Sequence, residues 1–165
     1  MASLDQIRAF LGLKRLAVAG VSRDPKDFSR LLFREFLQRG YDAVPVHPGA
    51  GEIEGRTCFA RLQDVVPPVE SVLLMTSPAA TEQVVHDCAE AGVKQVWMYR
   101  AAGAGAVSRE AVAFCESRGI DVIAGECPMM FFEDAALFHR LHGVIRKITR
   151  RYPRPGPWRS CQAAH

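Results

Sequence analysis

Short apolar runs alternate along this chain with longer stretches in which apolar side chains recur at helical spacing. Leu4, Ile7, Phe10 and Leu11 follow that spacing behind Ser3, a capping residue, and Gly12 closes the segment, which predicts a first helix. Residues 15–19, small and β-branched, predict a buried strand that Gly20 ends in a sharp turn. Asp24 as N-cap and Pro25 at the first helical position announce a helix start. Over 27–39, Phe28, Leu31, Leu32 and Phe36 mark the first crossover helix, stopped at Gly40. A second strand over 41–46 runs into a loop that opens with His47, Pro48 and Gly49.

The stretch 55–66 reads as irregular with about one helical turn, and Pro67-Pro68 separates it from a third strand over 71–75. Ser77 and Pro78 repeat the cap-and-proline start, leading into a helix over 79–91 that stops at Gly92. A fourth strand covers 94–99, a helix begins at Ser108 and runs to Gly119, and a fifth strand over 120–124 is closed by Gly125. This alternation predicts an α/β protein, a Rossmann-like doubly wound parallel sheet of five strands in the order 3-2-1-4-5, with helices on both faces. Ligands of such sheets bind at the carboxyl ends of the strands where the order reverses. That edge gathers Gly20, Val21, Ser22 and Arg23, then Val46, His47 and Pro48, then Thr76 and Ser77 with Pro78. A strand, a glycine turn and a helix start form a geometry suited to an anion, to which Ser22 adds a hydroxyl and Arg23 a charge.

With 165 residues, 48% of them hydrophobic, the chain is sized for one domain over 1–150. The balance of 21 basic against 18 acidic side chains is too even to argue for nucleic acid. The C-terminal part differs: beyond Asp134 there is no acidic residue, while seven Arg and Lys follow. Leu137, Phe138, Leu141, Val144, Ile145 and Ile148 predict an added amphipathic helix over 131–150, and the prolines of 151–165 predict a flexible basic tail. Its positive charges are either a solvated face or a patch for a protein partner, anionic lipid or nucleic acid. Specific nucleic-acid reading has no support, because Trp158 stands alone there. Five cysteines with no CxxC spacing indicate reduced thiols in a cytoplasmic protein, and no stretch is apolar enough to span a membrane.

The usual dinucleotide marks are missing. The first loop carries one glycine instead of GxGxxG, and the second strand ends in Pro45-Val46-His47-Pro48 without the acid that holds an unphosphorylated ribose. A ligand carrying a ribose phosphate suits this edge better than NAD. The G-x-S-R-D-P turn, the V-x-P close of the second strand and the C-P-M segment after the fifth resemble the stand-alone CoA-binding proteins, which are similar to the N-terminal domain of the succinyl-CoA synthetase α subunit. The resemblance covers about 13–130 and implies CoA or an acyl-CoA held across the strand ends. By position it places Gly20, Val21, Ser22 and Arg23 at the phosphates, Val46, His47 and Pro48 beside the adenosine, and Thr76 with Ser77 along the pantetheine. His47 stands where asparagine is common in the family.

The same resemblance implies binding without catalysis, because the reacting phosphohistidine of the synthetase belongs to a second domain that this chain is too short to include. No catalytic or metal residue is assigned. His86 reads as a surface or capping residue, and His139 and His142 lack a third ligand. Cys127 is either a small core residue or, at the ligand edge, a partner for a mixed disulfide with the CoA thiol. Three further readings stay open: a subunit of a thioester-handling enzyme, a subunit of an NAD(P)-dependent enzyme, and an interaction scaffold using the basic helix. A homodimer through the outer helices is also compatible with a domain this small.

Overall fold

The computed structural model describes residues 2–100 and 105–132. Of the helix expected over 131–150 only Phe131 and Phe132 are described, and they are not helical; the rest of it, the basic tail, His139 and His142 lie outside the described residues. Four helices, α1 (Leu4–Gly12), α2 (Phe28–Gln38), α3 (Pro78–Glu90) and α4 (Arg109–Ser117), alternate with strands β1 (Arg15–Ala19), β2 (Asp42–Val46), β5 (Ser71–Leu74), β6 (Gln95–Tyr99) and β7 (Asp121–Glu126). Two short strands, β3 (Glu52–Ile53) and β4 (Arg56–Thr57), form a hairpin between β2 and β5. The five long strands make one parallel sheet in the order β2-β1-β5-β6-β7.

The doubly wound class is as expected, but the neighbour order is not. Counting only the five long strands, it is 2-1-3-4-5 rather than 3-2-1-4-5. The outer edge of β2, where the third strand was expected, is taken by Phe59. Phe59 forms a parallel bridge to Val46, its N–H donating to Pro45 O at 3.1 Å while His47 N–H donates to Phe59 O at 2.9 Å. The third long strand, β5, pairs instead with the free side of β1. The sheet therefore reverses direction between β1 and β5.

Alternating side chains along the strands feed two cores. Leu16, Val18, Leu73, Trp97 and Ile123 meet Ile7 and Phe10 of α1 and Leu32, Phe33 and Phe36 of α2. Ala17, Ala19, Val72, Leu74, Val96 and Met98 meet Val85 and Cys88 of α3, Ala111 and Cys115 of α4, and Leu62 and Val65 of the connector after the hairpin. That connector lies on the face opposite α2, so the β1–β2 and β2–β5 crossovers, which step in opposite directions along the sheet, have the same hand, as the rule for parallel crossovers requires. Trp97 is fully buried and its indole N–H donates to Glu126 O at 2.9 Å, which satisfies the one polar atom of that ring.

Two local expectations change. The crossover helix is capped by Asp27, whose carboxylate accepts the Ser29 N–H at 2.8 Å, while Asp24, Pro25 and Lys26 form turns before it. Asp24 instead accepts the Lys26 N–H and donates its own N–H to Ser22 Oγ, closing a turn of its own. Gly125 does not end the last strand. It adopts φ +81° inside β7, where the register with β6 shifts at Met98 and Tyr99. Phe131 and Phe132 follow a short 3-10 turn, Pro128–Met130, and Phe132 packs edge-on to Phe36.

Candidate functional site

The carboxyl ends of β2, β1, β5 and β6 form a row, and the sequence-predicted residues are spread along it. At the end of β1, Gly20 turns with φ +89° and donates its N–H to Val46 O at 3.1 Å, joining the first two groups of residues. A Cβ at Gly20 would stand 2.9 Å from the Met75 carbonyl and from Thr76 Cγ2, so the close approach of β1 to the end of β5 requires glycine here. Val21 is fully buried in the α2-side core, backbone included, and its part at this edge is to pack the turn from beneath. Ser22 donates its N–H to Ser29 Oγ at 2.8 Å, and its own oxygen accepts the Asp24 N–H, leaving the hydroxyl proton free to be donated. Arg23 is exposed.

One strand further out, Val46 is buried, His47 half-buried and Pro48 exposed. His47 Nδ1 accepts the Gly49 N–H at 2.9 Å, which leaves Nε2 as the donor facing outward from that bond. On the other side of β1, Thr76 and Ser77 line a cleft of about 340 Å³ at the reversal point between β1 and β5. Thr76 Oγ1 lies 2.7 Å from Oγ1 of Thr81, which is fully buried, and the Ser77 side chain accepts the Ala80 N–H as the cap of α3. The structure thus brings Thr76 and Ser77 into the cleft, places Gly20 behind its wall, and leaves Ser22, Arg23, Val46, His47 and Pro48 along the rim beyond it.

The remaining cleft residues went unread in the sequence. Asp27, Phe28 and Ser29 come from the start of α2, Met75 from the end of β5, Tyr99 from the end of β6, with Gly105 and Ala106 beside it. Phe28, one of the apolar positions that mark the crossover helix, is 36% exposed and stacks on Tyr99 with ring centroids 5.4 Å apart and planes 24° from parallel. The signal was positional: the first residue of one helix and the last of one strand both fall on the carboxyl edge. Burial, with the Cys127 thiol alongside adding to it, pushes the Tyr99 phenol up to about 12, so at neutral pH it is a hydrogen-bond donor. Gly105 adopts φ +58°, and a Cβ there would stand 2.4 Å from Tyr99 O.

Cys127 itself is buried, 8% exposed, and packs in the α2-side core next to this wall. Cys58, Cys88, Cys115 and Cys127 are all unbridged. His86 is exposed on α3 against the Phe114 ring, in the surface role expected of it. Among the described residues there is no group of three or more His, Cys, Asp or Glu able to hold a metal ion, and no helix long and apolar enough to cross a membrane.

A doubly wound sheet with its cleft at the reversal point has the layout of the nucleotide-binding α/β domains. Within that class the sequence profile of the CoA binding domain matches residues 14–133, and the chain belongs to this family. It is 26% identical over 114 residues to the uncharacterised protein YneT of Bacillus subtilis, a match covering 69% of this chain and 82% of the relative. Among solved structures, a hypothetical protein from Pyrococcus horikoshii superposes with a TM-score of 0.71 at 27% identity, covering 78% of this chain and 88% of that one. A dinucleotide-forming acetyl-coenzyme A synthetase of Ca. Korarchaeum cryptofilum superposes with a TM-score of 0.62 at 27% identity, but this chain, 72% covered, spans only 26% of it.

Proposed function

We propose that this protein binds CoA or an acyl-CoA across the carboxyl ends of its parallel strands and catalyses no reaction by itself. The observation that carries the reading is the linear arrangement of the site. From His47 at β2 through Ser22 and Arg23 at β1 to Thr76 at β5 and Tyr99 at β6, the edge spans three strand spacings of about 4.8 Å each. An elongated ligand, charged at one end and less polar at the other, suits such a track better than a compact one. In this reading Ser22, Arg23 and the Gly20 turn meet the phosphates, with buried Val21 supporting that turn, and Val46, His47 and Pro48 flank the adenosine. Thr76 and Ser77, with the Phe28, Met75 and Tyr99 walls, take the pantetheine arm.

Thermal unfolding in the presence of CoA, NAD and NADP at equal concentration tests it, because a ligand that binds only the native state raises stability with the logarithm of its concentration over Kd. A rise in Tm with CoA alone is expected. A rise with NAD or NADP alone would replace the reading with a redox one. The synthetase neighbour favours a second reading, in which the domain serves a thioester-forming partner carried on another chain. Co-purification of a ligase-type subunit with the tagged protein would select it.

A further inference from the structure

The loop that follows Gly20 is held from beneath by two arginines of α2, and both arginines are held by one carboxylate from the β3–β4 hairpin. Glu54 Oε1 accepts Arg30 Nε–H and Arg34 Nε–H, each at 2.9 Å, with the Nη2 groups of both arginines also in contact. Arg30 Nη1 in turn donates to Ser22 O at 3.3 Å and Arg23 O at 3.2 Å, and Arg34 Nη2 to Pro25 O at 3.1 Å. The two ends of the clamp are mostly buried, with 13% of the Arg30 side chain and 20% of the Glu54 side chain exposed.

Glu54 is not at its position for the sake of the turn. Ile53 pairs with Arg56, and the two residues between them, Glu54 at φ +51° and Gly55 at φ +71°, have the left-handed conformations of a tight hairpin turn. Asn, Asp and Gly favour the first of those positions and glutamate does not. What glutamate adds is reach to Arg30 and Arg34. The consequence for the loop follows from the planar trans peptide, which points each N–H opposite to the preceding C=O. With the Ser22 and Arg23 carbonyls drawn inward to Arg30, the N–H groups of Arg23 and Asp24 turn outward. Asp24 N–H is used by Ser22 Oγ, while Arg23 N–H has no hydrogen-bond partner among the described residues.

We propose that Glu54 is a positioning residue for the ligand's phosphates. Through Arg30 it fixes the Ser22–Arg23 peptide units with an N–H, a hydroxyl and the Arg23 side chain presented together to an anion. The ligand part of this inference rests on the CoA reading above; the clamp itself does not. A loop already ordered in its binding conformation loses less entropy on association.

Glu54→Asn is the discriminating variant, because asparagine suits a left-handed turn residue yet is too short to bridge the arginines. We expect the variant to remain folded, with amide hydrogen exchange over 22–26 at least about tenfold faster than in the wild type and CoA binding weakened about tenfold by calorimetry. Glu54→Gln, which keeps the reach, should recover part of both losses. Exchange over 22–26 equal to wild type would overturn the clamp, and CoA affinity within twofold of wild type would overturn its role in binding. If the wild type itself fails to bind CoA, the ligand reading falls and the exchange measurement alone decides the clamp.

Discussion

At Gly20 two independent constraints coincide. Its φ of +89° disfavours any L side chain, and the atoms a Cβ would strike at 2.9 Å include the Met75 carbonyl, backbone held in place by the β1–β5 ladder. Contact with the end of a flexible side chain relaxes cheaply; contact with a paired strand does not. Gly20→Ala should therefore cost about 2 kcal/mol or more, combining the left-handed penalty with the displacement of β5. For a domain of this size that is a fall in Tm of about 4–8 °C, read by thermal unfolding. A Tm within a degree of wild type would mean that β5 can yield, and the cleft wall with it. Gly125 differs, since the atoms nearest its hypothetical Cβ belong to the Arg100 guanidinium, the closest at 3.1 Å, and that side chain can move.

At the scale of elements, the apolar patterns were readable because each strand and helix buries one regular set of positions, and Ser3, Ser77 and Ser108 all cap the helices they precede. The strand order was not read, although a residue carried it. Pro45 lacks an N–H, and a strand with proline in its middle belongs at a sheet edge, which excludes an inner position for β2. The start of α2 falls later than Asp24-Pro25 because Asp24 accepts the Lys26 N–H and closes a turn, while the Asp27 carboxylate accepts the Ser29 N–H and caps the helix. The Phe28–Tyr99 pair and the Glu54 clamp join segments far apart in the chain, so no local pattern marks them.

The α3–α4 seam makes its own prediction. Cys88 and Cys115 face each other across it with no exposure. Burial pushes both thiols up, Cys115 to about 11, and Cys115 and Asp87 add to the shift at Cys88. In native protein at pH 8 both should stay unlabelled by an alkylating reagent and react only after denaturation, as peptide mass mapping would show. Labelling of either in native protein would indicate that α3 and α4 part in solution.

Across the whole molecule, the hairpin, α2 and the loop after β1 share one charged centre. None of the three is fixed to the others by a strand ladder there, so the state of Glu54 couples them. The Arg34 hydrogen bond, with help from Arg30, holds the Glu54 carboxyl below its ordinary range against the opposing effect of burial. A carboxyl depressed in the folded state binds its proton more readily in the unfolded chain. Its contribution to stability is therefore fully present above the unfolded value of about 4.3 and is lost as pH falls through the folded one. Comparing wild type with Glu54→Gln removes the other carboxylates from the question, because they titrate in both proteins. The difference in urea midpoint should be constant from pH 8 to about 5 and should shrink steadily below about 4, where protonated glutamate and glutamine become near equivalents. A difference as large at pH 3 as at pH 7 would show that Glu54 acts through shape and not charge. The salt-linked coupling of hairpin, helix and loop would then have to be abandoned.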